Sequence, residues 1–409
     1  METILHQTKV RDFLPLYAVI LLGFLGYALT ITLFIPMLLD KNYMLLPADA
    51  STSMRAIFSG LLLAMYPLGQ FFGSPVIGTF SDYYGRKRVL LVTLMICSLG
   101  FLGMALSIDY HNIGLLLLFS FLTGLCESNM AISQSVIADR SHDPIIKTKL
   151  IGYGYSACSL GYILGPLLGG NVLSYSAPFF IVASIVPLLV LWIYLNFDEQ
   201  YSPSSTIKIN LSQSLTSIKS IFYHKKLTKI YFINFSIFFA VQGLYRVIPL
   251  YVQDKWSPSL QTYSMLISFV SCMCFLANLI ILQRLAKRYS TQHLLSGLLV
   301  SGGLFVLIVL IPSGFNWIWF TYGLAVIPTV MALPTCTTWL SQQVKSNEQG
   351  QVLGNNQALL VLGEASSAAI GGLIAAIMVP LPVVLLALIL IVTGLFNLYG
   401  SNLSFNTGD

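Results

Sequence analysis

The feature that most constrains this chain is the recurrence of long, nearly uncharged apolar runs. They fall at about 13–39, 56–80, 89–108, 113–137, 150–174, 178–196, 231–252, 264–283, 293–312, 317–340, 352–378 and 382–399. Each approaches or exceeds the roughly 20 helical residues needed to cross a hydrocarbon layer of about 30 Å. Backbone polar groups in lipid must be satisfied within the segment itself, so runs of this length are stable there as helices. The short alternating strands of a membrane barrel do not recur. Only 9% of residues are charged and 56% are hydrophobic, against about 25% charged in an ordinary soluble domain. A water-facing surface cannot be assembled from that supply. The expected fold is an all-α membrane protein of twelve transmembrane helices in two six-helix pseudo-repeats. The first run follows Lys9 and Arg11. It exceeds the apolar region of a signal peptide and has no small-residue cleavage site, so it reads as the first span.

Basic residues orient these spans. With the N-terminus inside, Arg86, Lys87, Arg88, Arg140, Lys147, Lys149, Arg284, Lys287, Arg288 and Lys345 fall on the cytoplasmic side, while Lys41, Arg55 and Lys255 face out. That bias places both termini in the cytoplasm. The net charge of +6 is then a topology signal, and nucleic acid is not an expected partner. The short loops and the absence of an organellar presequence point to a bacterial inner membrane.

The chain divides into a first half at 1–196, a polar linker at 197–230, a second half at 231–400 and a tail at 401–409. In the linker, Leu211, Leu215, Ile218 and Phe222 share one helical face flanked by Lys219, Lys225 and Lys226. Such a helix is suited to lie on an anionic lipid surface. An internal repeat relates the halves. At an offset of 202 residues, Gly152, Gly161, Gly169 and Gly170 fall on Gly354, Gly363, Gly371 and Gly372. Repeats of this kind place a carrier's binding site near the membrane midplane, between the two units.

Two motifs carry more specific information. The second span runs into Gly78-Thr-Phe-Ser-Asp82-Tyr-Tyr-Gly85-Arg86-Lys87-Arg88, preceded by Tyr66-Pro67-Leu68-Gly69-Gln70-Phe71-Phe72-Gly73-Ser74-Pro75. The fifth contains Gly161-Tyr-Ile-Leu-Gly165-Pro166-Leu-Leu-Gly169-Gly170. Glycines four apart line one helix face and permit close helix approach, Gly85 suits a tight turn, and Pro166 removes a backbone donor. These segments resemble the loop motif and the antiporter motif of the major facilitator superfamily, in its drug/proton antiporter branch. The resemblance implies that Asp82 sits at the N-terminus of the eleventh helix, near Gly350. It also implies that Arg86 bridges Asp82 to Asp139, closing the cytoplasmic side in the outward-open state. It further implies that the first, fourth, seventh and tenth helices line the cavity and that the fifth-span glycines mark an exporter. The chain departs from that branch at Ser120, where an arginine is usual, and at Tyr27, where tetracycline exporters carry aspartate.

Charges within the spans are the remaining signal. Glu127, Arg246 and Glu364 each lie near the middle of an apolar run. An ionisable group at that depth faces a cavity or a partner. Glu127 shares a helical face with Ser120, Thr123 and Gln134, and Arg246 follows Asn234, Phe238 and Gln242 at helical spacing. Glu127 is the first candidate for proton coupling and Glu364 the second. Arg246 is the candidate ion partner of Glu127 or a clamp for an anionic substrate. Tyr27, with other aromatic residues, is a candidate for the cavity wall. The six cysteines and the histidines show no metal-ligand or redox spacing. Phosphate-binding loops and hydrolase motifs are absent, so neither cofactor nor metal is expected and the chain does not read as an enzyme. The expected function is proton-coupled export of a small drug or metabolite by a monomer in contact with membrane lipid. Export of an anionic metabolite such as a polycarboxylate siderophore is the alternative. Metabolite import or a non-transporting receptor comes third.

Overall fold

The computed structural model describes residues 13–127, 129–140, 144–171, 174–197, 225–344 and 349–404. The expected surface helix of the linker falls within 198–224 and lies outside the described residues.

Eleven helices among the described residues are long and apolar enough to cross a membrane. The helix Pro144–Gly170, of 27 residues, makes twelve. In chain order they are Leu14–Leu39, Thr52–Tyr84, Arg86–Asp109, the two pieces Ile113–Cys126 and Asn129–Arg140, Pro144–Gly170 and Ala177–Asn196, then Lys225–Trp256, Leu260–Ala286, Thr291–Ile308, Asn316–Ser341, Gln349–Ala375 and Leu381–Ser404. They are called the first to twelfth spans below. Local chemistry sets several ends. Ser51, Asn112 and Ser259 cap the second, fourth and eighth spans by accepting the N–H of Met54, Leu115 and Thr262. Gly85 alone joins the second span to the third at φ 95°, a conformation open to glycine and strained for other residues. Arg55, 2% exposed, donates to the carbonyls of Leu38 at 2.8 Å and Pro47 at 3.1 Å. It thereby folds the 40–51 loop over the end of the first span.

Buried apolar side chains form two clusters, one drawn almost entirely from the first six spans and one from the last six. The internal repeat appears as repeated packing. A methyl group on Gly161 would come within 2.6 Å of the Leu21 carbonyl on the first span, and one on Gly165 within 2.7 Å of the Leu25 carbonyl. At the equivalent place in the second half, Gly363 abuts Phe238 and Phe239 of the seventh span. The glycine faces thus hold the fifth span on the first and the eleventh on the seventh.

Among the described residues the two halves meet tightly at one end. Gly60 of the second span and Gly372 of the eleventh touch backbone to backbone, and Gly170 of the fifth abuts Ser264 of the eighth. Ser53 donates to the Ala376 carbonyl at 2.6 Å, and Ser268 to the Ile163 carbonyl at 3.1 Å. Beside this seal lies a polar pocket of about 520 Å³ whose walls include Asp40, Arg55, Tyr175, Gln253 and Asp254. Burial there, followed by the Asp40 and Tyr43 charges, pushes the Tyr175 phenol up to about 12. At the opposite end a methyl group on Gly78, Gly152 or Gly354 would meet no described residue within 4 Å. Among the described residues, the bundle is sealed at the Gly60–Gly372 end and parted at the end where Arg86, Lys87 and Arg88 lie.

Candidate functional site

The fourth span departs from the expected continuous helix. It stops at Cys126, Glu127 turns to extended geometry at φ −83° and ψ 92°, and helix resumes at Asn129. Packing fixes the first piece up to this point. Gly69 and Gly73 of the second span face the Phe121 and Leu125 carbonyls, and Gly124 faces the Tyr66 carbonyl. The sequence Ser128-Asn129 then supplies residue types that favour starting a new helix. Because of the break, Gln134 does not continue the face of Ser120, Thr123 and Glu127. Ser120 and Thr123 do not line a cavity either. Both are fully buried: Ser120 Oγ lies 3.4 Å from Met104 Sδ, and Thr123 packs on Gly100 of the third span with its hydroxyl on the Phe119 carbonyl.

Glu127 is 7% exposed. It accepts a 2.8 Å hydrogen bond at Oε2 from the hydroxyl of Tyr66 on the second span. The Tyr66 ring lies against Tyr27 of the first span, with centroids 4.8 Å apart, and Tyr162 of the fifth meets Tyr27 edge-on at 6.2 Å. The Tyr27 hydroxyl donates to Glu364 Oε1 and accepts from Arg246 Nη2. Arg246 Nη2 also binds Glu364 Oε1 directly, while Nη1 donates to the Gln242 carbonyl at 2.8 Å. Gln242 Nε2 reaches Glu364 Oε2 at 3.5 Å. Arg246 Nε is buried without a hydrogen-bond partner among the described residues. With Arg246 at 3% and Glu364 at 6% exposed, this is an ion pair inside the protein, and residues from both halves share it.

The sequence pairing of Arg246 with Glu127 is therefore corrected: its carboxylate partner is Glu364, one helix away in the same half. The reason is rotational. Glu364 follows Gly363, which seats the eleventh span on the seventh and points the next residue toward Arg246. Two further expectations change. Asn234 is fully buried and donates to Asn356 Oδ1 at 2.8 Å, inside the second half. Phe238 is fully buried against Gly363. Neither lines an open cavity in this conformation. Tyr66 and Tyr162 are the site residues that sequence reasoning missed.

At the open end, Arg86 Nη2 lies 3.7 Å from Asp82 Oδ1, consistent with their four-residue spacing on neighbouring helix ends. A methyl group on Gly78 would meet no described residue within 4 Å, so among the described residues the close approach expected of it is not made. The Asp139 side chain lies outside the described residues. In the fifth span, Gly161, Gly165 and Gly169 face the first span, Gly170 faces the eighth, and the helix runs unbroken through Pro166. Among the described residues no cluster of His, Cys, Asp or Glu could hold a metal ion.

Two six-helix halves, in close backbone contact at one end and joined around a shared buried ion pair, define a membrane carrier. The family profile of the Major Facilitator Superfamily matches residues 16–354, and the chain belongs to that family as one of its transporters. Tetracycline resistance protein, class B, of Escherichia coli is 28% identical over 78% of this chain and 78% of its own length. Multidrug resistance protein 2 of Bacillus subtilis (strain 168) is 25% identical over 77% of this chain and 79% of its own. Among solved structures, a bacterial homolog of the human lysosomal transporter Spinster, in an inward-facing and occupied conformation, superposes with a TM-score of 0.72 at 14% identity. It covers 95% of this chain and 96% of that one. That likeness shows the fold.

Proposed function

We propose that this transporter exports small, neutral or cationic lipophilic molecules from the bacterial cytoplasm in exchange for protons. The observation that carries the reading is the Glu127–Tyr66–Tyr27–Arg246–Glu364 network. Its named groups set two carboxylates against one guanidinium, among three tyrosine rings. An anionic substrate would have to displace Glu364 from Arg246, so the paired guanidinium removes the reason to favour a polycarboxylate. A cation or a neutral amphiphile meets carboxylates and aromatic faces. The names of the relatives, tetracycline and multidrug resistance proteins, agree with efflux.

Placing the basic end in the cytoplasm makes the observed state inward-open, with both termini cytoplasmic. Rocking of the halves about the central site then alternates access. In the other state, the open-end residues Gly78, Asp82 and Arg86 approach the start of the eleventh span, where a helix N-terminus favours a carboxylate. Glu364 becomes the leading coupling carboxylate, ahead of Glu127, because its bonds cross between the halves. A proton on Glu364 and a substrate on the inward-facing site exclude one another, as an antiporter requires. The transporter works as a monomer embedded in lipid.

The test is proton release from purified protein in detergent on addition of tetracycline, ethidium or a tricarboxylate. A compound that binds is expected to release protons from the wild type and from Glu127→Gln but not from Glu364→Gln. Equal release from Glu364→Gln would remove that residue from the coupling role. Binding without release from any form would contradict proton exchange.

A further inference from the structure

The Tyr27 hydroxyl occupies a position that the transport cycle needs filled. It belongs to the first half, and both of its partners, Arg246 and Glu364, belong to the second. The other cross-half hydrogen bonds named above, from Ser53 and Ser268, end on backbone carbonyls toward the sealed end. Those bonds do not change with protonation. The Tyr27 bonds do: an ionised acceptor makes hydrogen bonds roughly twice as strong as a neutral one. When Glu364 is ionised, one hydroxyl ties the halves together through a charge-assisted pair. When Glu364 takes a proton from water, its charge is neutralised and the Arg246 guanidinium loses its anion.

We propose that Tyr27 is a positioning residue that latches the empty, deprotonated carrier in the inward-open state and lets go either when Glu364 is protonated or when a bound substrate takes the hydroxyl's place beside Glu364 and Arg246. An exchanger must not cross the membrane empty, since an empty return would let substrate flow without protons. The latch forbids that step and permits the protonated and the substrate-loaded ones. This inference rests on the reading of Glu364 as the coupling carboxylate.

Several titratable and charged groups face Glu364 from the elements packed against it. The first span presents Tyr27, the fifth presents Tyr162 with Cys158 near it, and the seventh presents Arg246 and Gln242. Glu127 stands behind Tyr66 on the far side of Tyr27, with Cys97 and Cys126 beside it. Arg246 stays charged at every working pH. Phenols and thiols titrate above neutrality unless perturbed downward.

The experiment needs no substrate. Spin labels are placed by Gly152→Cys and Gly354→Cys, on opposite halves at the open end, where added side chains meet nothing within 4 Å. The six native cysteines are replaced. Distances across the opening are then measured in lipid nanodiscs between about pH 5 and pH 8. For the wild type, the long distance of the inward-open state should dominate at high pH. A shorter distance should gain population as pH falls, by up to about tenfold per pH unit for one linked proton. Tyr27→Phe, which removes only the hydroxyl, should show both distances throughout, with a change in ratio below about twofold over the same range. Arg246→Lys, which keeps the charge but replaces the planar guanidinium that spans the Gln242 carbonyl, Tyr27 and Glu364 with a single ammonium, should behave likewise and serves if the first variant does not fold. A wild-type response in both variants, with Glu364→Gln insensitive to pH, overturns the latch and leaves the exchange mechanism standing. A wild-type response in Glu364→Gln itself overturns both. A wild type that never changes distance also contradicts the latch.

Discussion

Arg246→Ala is expected to lower stability by about 3–5 kcal/mol and to abolish transport, because it leaves Glu364 buried without its cation. Loss on that scale is a large share of the roughly 5–15 kcal/mol that holds a protein folded. The midpoint of thermal unfolding in detergent should fall accordingly. The paired replacement Arg246→Met with Glu364→Met should recover most of the stability, since exchanging a whole buried ion pair for apolar side chains is often neutral or better. It should recover no proton-coupled transport. Arg246→Ala unfolding at the wild-type temperature would mean that the pair is not formed in the membrane-embedded protein.

Gly372→Val should change conformation more than stability. A methyl group at Gly372 meets Gly60 Cα at 2.7 Å and the Ala56 carbonyl at 2.8 Å. Both are backbone atoms of the other half and cannot step aside by changing rotamer. Overpacking of this kind costs about 1–3 kcal/mol or more, which disfavours the sealed end roughly 5- to 140-fold at 1.4 kcal/mol per factor of ten. Spin labels at Lys41→Cys and Asp254→Cys, on the two halves beside the seal, should move apart in this variant. Gly161→Val is the matched control. Its methyl group would meet backbone within its own half, at Leu21 and Leu25, so it should lower the unfolding temperature without separating those labels. If Gly372→Val leaves the label distance unchanged, the Gly60–Gly372 contact is not the seal.

These effects show which parts of the molecule were legible in the sequence. Apolar runs set the spans because lipid leaves a long uncharged segment one backbone solution. The glycine offset of 202 residues carried three-dimensional information: Gly152 and Gly354 both face away from every other described residue, Gly161 and Gly363 both seat a helix on its neighbour, and Gly170 and Gly372 both cross to the other half. Gly85 was readable because its positive φ excludes most other residues. The break at Glu127 was not readable. No proline marks it, and the close packing of Gly69, Gly73 and Gly124 that ends the helix there belongs to tertiary structure. Periodicity through 120–134 therefore predicted a polar stripe that the folded chain divides. The choice of Glu364 over Glu127 as the partner of Arg246 depends on helix rotation about the Gly363 contact, which spacing along the chain does not report. Tyr66 stood in plain view in the second-span motif. Its role emerges only when Glu127, 61 residues away, is placed beside its hydroxyl.

The most direct test of the account is uptake of tetracycline and ethidium into inverted membrane vesicles under an imposed, inside-acid proton gradient. The account predicts accumulation of at least one of them by the wild type, loss of that accumulation when a proton ionophore collapses the gradient, and none by Glu364→Gln. Accumulation that survives collapse of the gradient, or that Glu364→Gln carries out as well as the wild type, would contradict it.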